Sequence, residues 1–520
     1  MGRGNTGAYR PHPAPMLKQH DRPDFGERST ISTMLTRIDG ETYDLSSFVD
    51  RHPGGSELAL LAAGRDATTL FYSYHRRMDV AKKYLATLPK VDASKLEVEL
   101  PVQVTSLGTA RDKDGRTKPG AMAMDEDGFY AEVKRRVNEY FVATGYESRG
   151  GLFMVFKSLV TLGLLAASIY FVVVLDYWMF APIVGILMAI AGLSIQHDAN
   201  HGALTPWPAV NWAFGLVDDL IGGSSLAWRH QHVVAHHADP NDADLDCDTY
   251  MEWPLIRFNP GLRVRDFQAY QHIYGPMLYS LMAFAYGFGD IYTVLSGAYG
   301  HTQLHKLRLS DQAVFWGGKA VHFGLFYGLP IYLHGVVHGL CCITLPAMLA
   351  GGFFLASTFA VSHNSTGAAY NVPRGVDFGE LQTRTAVNWS VWGDCPNHIA
   401  IFWLLVSGGL NYQAEHHLFP GVAHIHYPAI SRIVRAVCEE RGVPYNSYST
   451  FFDIYAEHLK TLKLLGRGAD DEVLAAEPRN LASCKTIEGA AWKANCIPGE
   501  ALDAKAPASG KGASDSRKRK

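Results

Sequence analysis

Three histidine clusters mark this 520-residue chain: His197-Asp-Ala-Asn-His201, His232-Val-Val-Ala-His236-His237 and Gln413-Ala-Glu-His416-His417. Neutral imidazole is the commonest metal ligand and suits iron. An H-x-x-x-H spacing puts two rings on one helical face, because residues four apart are neighbours there. One such pair arises often by chance or in core packing. Three clusters, two of them ending in a His-His doublet, supply seven histidines and a glutamine. That is too many donors for one zinc and about enough for two metals. With long apolar runs in the same chain, the pattern implies a membrane di-iron enzyme.

Neighbouring residues on a helix turn by about 100°. The two rings of each doublet, His236-His237 and His416-His417, therefore reach toward different metals. Gln413 lies three before His416 and four before His417, so its carbonyl oxygen falls on the same face, as a weak ligand or a holder of water. Asp198 and the acidic run Asp242, Asp244, Asp246 and Asp248 are candidates to orient ligand imidazoles; a solvated loop explains the run equally well. His230 sits one place outside its cluster, and His301, His305, His322, His334 and His338 have no cluster spacing, so none of them is assigned a metal.

Elements must carry these residues to one place. Hydrophobic content is 48% and mean hydropathy only −0.03, so apolar segments are diluted by soluble ones. A formal net charge of −3 offers no basic footprint for nucleic acid. Seven scattered cysteines with no C-x-x-C pair argue against a disulfide framework or zinc ribbon and for a reducing compartment. Residues 1–33 read as a disordered leader with no secretory signal, although Met1-Gly2-Arg3-Gly4-Asn5-Thr6 fits the myristoylation pattern at Gly2.

Asp39-Gly40 between two short strand-like runs predicts a hairpin. His52-Pro53-Gly54-Gly55 follows, then a helical stretch over 56–63, and His75 arrives 23 residues after His52. Residues 34–100 thus form a small α+β unit presenting two histidines from loops. Two axial imidazoles saturate a haem iron and favour electron transfer over oxygen binding. Residues 101–147 read as a charged linker and a helix over 129–141. The membrane portion, 148–465, has apolar runs at 158–175, 179–195, 314–336 and 339–361, each near the spanning length of about 17–25 residues. The third contains Lys319 and His322. A further apolar stretch, 272–295, carries Asp290 and is expected in the interface or against the bundle. The short loops 176–180 and His338 lack Lys and Arg, whereas 202–313 has several. Both loops then face away from the cytosol, and all three clusters share the cytosolic side with the N-terminal unit. A helical stretch over 428–465 is interrupted at Gly442-Val-Pro444. Residues 466–520 read as a disordered tail ending Arg517-Lys-Arg-Lys520, either a solvated basic end or a dilysine-like retrieval signal.

The segment around His52 and His75 resembles cytochrome b5, which implies haem b with these two as axial ligands; the Asp-x-x-Trp opening common in fused domains of this kind is absent. Trp228-x-x-Gln231-His232-x-x-x-His236-His237, with Asn241 beyond, and Gly409-Leu-Asn-Tyr-Gln413-Ala-Glu-His416-His417-Leu-Phe-Pro420 are similar to the front-end fatty-acid desaturases. These fuse cytochrome b5 to a membrane desaturase and have Gln where other desaturases place the first His of the third box. The resemblance covers roughly residues 34–465. It implies a b5-like domain fused to an all-α membrane domain of about four transmembrane helices with a cytosolic, histidine-rich di-iron cap. Wider relatives use a further histidine just after the last span, and His363 in Phe359-Ala-Val-Ser-His363 fits that position.

The metal set is then His197, His201, His232, His236, His237, His363, Gln413, His416 and His417, holding two non-haem irons. The expected reaction inserts a cis double bond toward the carboxyl end of a polyunsaturated acyl chain on CoA or phospholipid. Dioxygen is the oxidant, and cytochrome b5 reductase supplies the electrons. The segments 313–319 and 442–445 look most like Δ5 enzymes acting on C20 chains. Δ4 and Δ6 action, sphingolipid desaturation and lipid hydroxylation are the alternatives. The expected location is the endoplasmic-reticulum membrane, multi-pass, with both termini cytosolic. A histidine-rich metal transporter is the competing class, but its ligands belong near the bilayer midplane and it has no use for haem. A membrane-anchored electron carrier would leave the clusters unexplained.

Overall fold

Asp39 and Gly40 both adopt positive φ (52° and 79°), the geometry a two-residue hairpin needs to match strand twist. Leu35–Ile38 pairs antiparallel with Glu41–Asp44, and Lys90–Val91 adds a third strand. Helices Ser56–Leu60, Thr68–Tyr74 and Met78–Leu85 pack on this sheet around Ile38, Tyr43, Ala67, Phe71 and Ala81. The α+β unit is therefore as its sequence predicts. The computed structural model describes residues 21, 30–92, 110–111, 117–118, 128–373 and 375–476. Nearly all of the leader, Gly2, most of the linker and the basic C-terminus lie outside the described residues.

Among the described residues, three helices are long and apolar enough to cross a membrane: Gly151–Val174, Trp178–Asn200 and Val336–His363. The first is only 17% buried, and Phe153, Phe156, Leu159 and Leu164 point outward from it. The remaining expected span, 314–336, falls on Leu309–Phe323, Gly324–Gly328 and Leu329–His334, which continue into one another. Buried Lys319 and His322 lower its hydropathy. Lys319 Nζ donates to Gly222 O at 2.6 Å and lies 3.9 Å from Asp290, so the polar groups of this helix and of the 272–295 stretch face each other. That stretch forms Gln271–Tyr279 and Met282–Ser296 against the bundle, where Gly352 comes close to Ser280.

The apolar core joins Val172, Val184, Met188, Phe326, Ile343 and Ala347. At the end opposite the histidine clusters the two turns meet: Asp176 Oδ1 lies 2.7 Å from His338 Nε2, and Val173 O lies 2.6 Å from His334 Nε2. Tyr427–Arg441 ends at Gly442 (φ 68°), as its sequence predicts, and Phe451–Gly466 follows. Order does not stop at 465, however. Arg257 donates to Leu465 O and Ala469 O, and Asp471–Ala476 is helical. The buried guanidinium fixes this segment, so a disordered tail from 466 is corrected there.

Gly408 and Gly409 let the third cluster approach the second span. Both have positive φ. A Cβ on Gly408 would stand 2.1 Å from Leu193 O, and one on Gly409 2.3 Å from His424 Cβ. Gly408→Ala should therefore cost at least about 2 kcal/mol through left-handed strain and overpacking, read as a lowered melting midpoint in detergent. Gly289→Ala, on an exposed helix face with nothing within 4 Å, should leave the midpoint unchanged or slightly raised. Equal midpoints for the two variants would contradict this packing.

Candidate metal centre

The second span winds loosely at Gly192–Gln196 before it delivers His197, and the helix of the second cluster, Arg229–His236, is wound the same way. There the hydrogen bonds reach five residues back: His237 N donates to His232 O at 3.0 Å. Such turns cluster at functional sites. The winding brings His232 and His237 onto one face, with their Nε2 atoms 3.1 Å apart, a neighbourhood that α-helical spacing does not provide.

The rings gather into two groups whose ligand atoms lie within 4.8 Å of one another: His197, His201, His232 and His416, and His236, His363 and His417. His237 Nε2 stands 3.0 Å from His416 Nε2, and its ring stacks on His417 at 4.3 Å between centroids. Gln413 Nε2 is 2.9 Å from His363 Nε2, which is 3.1 Å from His417 Nε2. All nine residues predicted from sequence therefore meet in one buried place, and the rings of each doublet turn to different groups.

Most of these rings are anchored through Nδ1, which leaves Nε2 aimed inward. His236 Nδ1 donates to Asp246 Oδ2 at 3.0 Å, His363 Nδ1 to Thr385 O at 3.1 Å, and His417 Nδ1 to Gln382 Oε1 at 2.7 Å. His416 Nδ1 faces the Tyr427 hydroxyl at 3.3 Å, and His201 Nδ1 the Tyr74 hydroxyl at 2.5 Å. Outer partners of this kind set the tautomer and orientation of metal-binding histidines. Asn241, at φ 61°, donates to His363 O and Ala369 O and holds the end of the third span in place. Of the acidic run, Asp246 and Asp248 face His236, whereas Asp242 accepts from two backbone amides of its own turn and Asp244 is exposed. Asp198 bonds His424 Nδ1 at 2.8 Å.

Burial, then neighbouring imidazoles, hold His201, His232, His237, His416 and His417 well below the usual histidine range. Burial pulls on His236 too, but Asp246 and Asp248 outweigh it and hold that ring at about 9. His363 and His417 both donate through Nδ1, so their Nε2 lone pairs face each other at 3.1 Å, an arrangement that a cation between them would relieve. Neither ring nitrogen of His197, nor His201 Nε2, nor Gln413 Oε1 has a hydrogen-bond partner. The donors thus fit bound cations, and nitrogen with amide oxygen is a donor set that suits iron.

The other histidines take structural partners. His230 Nδ1 bonds Leu226 O at 2.9 Å and its ring packs on His305. His301 meets Tyr250 and His322 meets Leu220 O. In the N-terminal unit the His52 and His75 rings stand 6.0 Å apart between centroids. Their Nδ1 atoms face Gly55 O at 3.2 Å and Phe71 O at 2.7 Å. Burial pushes His75 down to about 4 and lowers His52. Two neutral rings at that separation accommodate an iron with bonds of about 2 Å on each side. Tyr74, Gln382 and Tyr427 were not singled out from sequence; only the placement of Tyr74 beside His75 signals anything.

The sequence matches the family described as Fatty acid desaturase over residues 173–449 and that described as Cytochrome b5-like Heme/Steroid binding domain over residues 17–92. The acyl-lipid (8-3)-desaturase of Physcomitrium patens is 35% identical over 467 residues, covering 86% of this chain and 92% of its own. The chloroplastic acyl-lipid (7-3)-desaturase of Chlamydomonas reinhardtii is 34% identical, covering 82% and 80%. The Delta(5) fatty acid desaturase A of Dictyostelium discoideum is 28% identical, covering 87% and 95%.

The two histidine groups and the b5-like unit should load independently. His201→Ala and His417→Ala should each lower non-haem iron, measured by mass spectrometry of purified protein, while the haem absorbance persists. His52→Ala should remove that absorbance and spare the non-haem iron. His230→Ala should spare both. Retention of all non-haem iron by both cluster variants would contradict the assignment.

Proposed function

This chain belongs to the fatty acid desaturase family and carries an N-terminal cytochrome b5-like domain, as front-end desaturases do, and from that premise we propose Δ5 desaturation of C20 polyunsaturated acyl chains. The observation that carries the reading is the pair of imidazole groups, within 4.8 Å each, set where two apolar spans end and joined through Tyr74 to the unit that presents His52 and His75. Two irons held by the nine residues of the three clusters and His363 would supply an oxygen-derived oxidant strong enough for an unactivated C–H bond, and a haem between His52 and His75 the electrons.

The chain's own residues do the rest. Asp246, Thr385 and Gln382 hold the Nδ1 edges of His236, His363 and His417, so each Nε2 stays inward. Gln382 also donates to His237 O at 3.0 Å, which ties the second cluster to the third. Glu415 is turned away from the imidazoles, between Asn388 Nδ2 at 2.7 Å and the Tyr445 hydroxyl at 2.9 Å. Burial pushes it up to about 7. It anchors the third cluster and is not itself a ligand. Burial of every ring in both groups except His232, which is partly exposed, excludes the water that would quench a strong oxidant.

The helix over 309–334 acts as the fourth span, since its polar residues face Asp290 and its far end meets the Asp176 turn. Both turns then lie on the lumenal side of the endoplasmic-reticulum membrane, and the b5-like unit and clusters on the cytosolic side, where a cytochrome b5 reductase has access. The Physcomitrium patens and Chlamydomonas reinhardtii relatives are acyl-lipid desaturases, which supports an acyl chain carried on a lipid rather than on CoA. The Δ5 assignment rests on the segments 313–319 and 442–445.

A yeast host expressing the chain and fed di-homo-γ-linolenic acid should accumulate the Δ5 product, mapped by mass spectrometry of derivatised lipids. Fed C18 chains, it should make little Δ6 product. Conversion of C22 chains alone would assign Δ4 action, conversion of C18 chains alone Δ6 action, and hydroxylated product alone would overturn desaturation.

A further inference from the structure

Each anchored ring except one takes its Nδ1 partner from the desaturase body: Asp246, Thr385, Gln382 and Tyr427. The exception is His201, whose partner is Tyr74 of the b5-like unit, at 2.5 Å. Tyr74 is also the covalent neighbour of His75. The helix Thr68–Tyr74 ends between them, and His75 leaves it with extended backbone while its Nδ1 donates back to Phe71 O. The His75 ring therefore turns toward His52, and the Tyr74 ring turns the other way to lie nearly parallel to His201, 23° between planes at 6.0 Å.

The contact belongs to a built interface. Leu61, Leu70 and Tyr74 pack with Val233, Val234 and Trp228 in one apolar cluster. Trp228 in turn stacks on His232 at 4.5 Å between centroids. The Glu57 carboxylate joins Arg229 at 3.2 Å and Arg308 at 2.5 Å. Arg65 donates to Gln303 O at 2.9 Å, and a Cβ on Gly202 would stand 2.9 Å from Leu58. Lys134 caps the other side by donating to Tyr72 O and His75 O at 2.7 and 3.0 Å. Apolar packing, a shared carboxylate and backbone hydrogen bonds hold one register.

We propose that Tyr74 is the positioning residue that couples the two redox sites, fixing the His201 ring through its hydroxyl and completing a bonded path from His75 to His201. The inference rests on the functional reading above, in which His52 and His75 hold haem and His201 a metal. Electronic coupling falls steeply across empty space and less steeply along bonds. This path is one peptide link, one tyrosine side chain and one hydrogen bond. In each step one electron leaves the ferrous haem, which becomes ferric, and one ferric ion of the histidine centre becomes ferrous. No bond forms or breaks, Tyr74 is neither oxidised nor reduced overall, and its proton and that of His201 stay in place. The step occurs twice for each dioxygen, with a flavoprotein reductase renewing the ferrous haem.

The test uses full-length holoprotein in lipid nanodiscs, with haem and non-haem iron quantified in every sample. The haem is reduced anaerobically by a flash-generated donor, and its reoxidation is followed by absorbance. Tyr74→Phe keeps the ring and should keep both cofactors and the haem midpoint potential, yet slow reoxidation at least tenfold. Tyr72→Phe, whose hydroxyl bonds Asp39 instead, should match the wild type. Wild-type rates in Tyr74→Phe carrying both cofactors would overturn the proposal. So would loss of iron from that variant, which would make the hydroxyl a support of the site alone. Wild-type protein lacking haem or non-haem iron would instead overturn the functional reading on which the proposal stands.

Discussion

Buried imidazoles converge here with their Nε2 atoms about 3 Å apart, an arrangement that a bound cation would satisfy, and most of this fold serves to hold them so. A buried donor or acceptor left unpaired costs about 1–3 kcal/mol, and the centre gathers several: both nitrogens of His197, Nε2 of His201 and Oε1 of Gln413. The protein accepts that cost by tying down the opposite edges of the rings. Asp246, Gln382, Tyr427, the Thr385 carbonyl and Tyr74 each occupy an Nδ1. Gly408 and Gly409 let the third cluster reach the second span, and Asn241 pins the end of the third. Metal affinity and folding are therefore linked, because the site exists only when elements hundreds of residues apart are assembled.

The N-terminal unit is part of that assembly. A separate electron carrier would meet its acceptor by diffusion, whereas fusion makes the encounter intramolecular. Here fusion goes further, since the interface is apolar at its centre and gripped by Glu57 and Lys134 at its edges. The helix Phe129–Thr144 joins the two halves: Lys134 reaches His75 O and the Tyr130 hydroxyl donates to Leu418 O, one residue beyond the third cluster.

What was legible in the sequence is local or chemical. The Asp39-Gly40 hairpin, the break at Gly442 and the three clusters follow from short-range rules, and the eight residues those clusters name converge together with His363, which was placed by resemblance. The loosened winding of Arg229–His236 was not legible, because periodicity assumes 3.6 residues per turn. It decides that His237 faces His232. The partners Tyr74, Gln382 and Tyr427 lie 127, 35 and 11 residues from their histidines, and no spacing rule spans such separations. The apolar run over 314–336 was legible, but the partner of its Lys319 was not, because Asp290 lies on another helix. The ordered segment after Leu465 depends on Arg257, far away in the chain.

The most direct test of the central claim is the ratio of non-haem iron to haem in purified, catalytically active full-length protein, with zinc measured in the same sample. Two groups of converging donors predict about two non-haem irons for each haem and no more than trace zinc. A single non-haem iron per haem, or a full complement of zinc in active protein, would contradict a two-metal oxygen-activating centre.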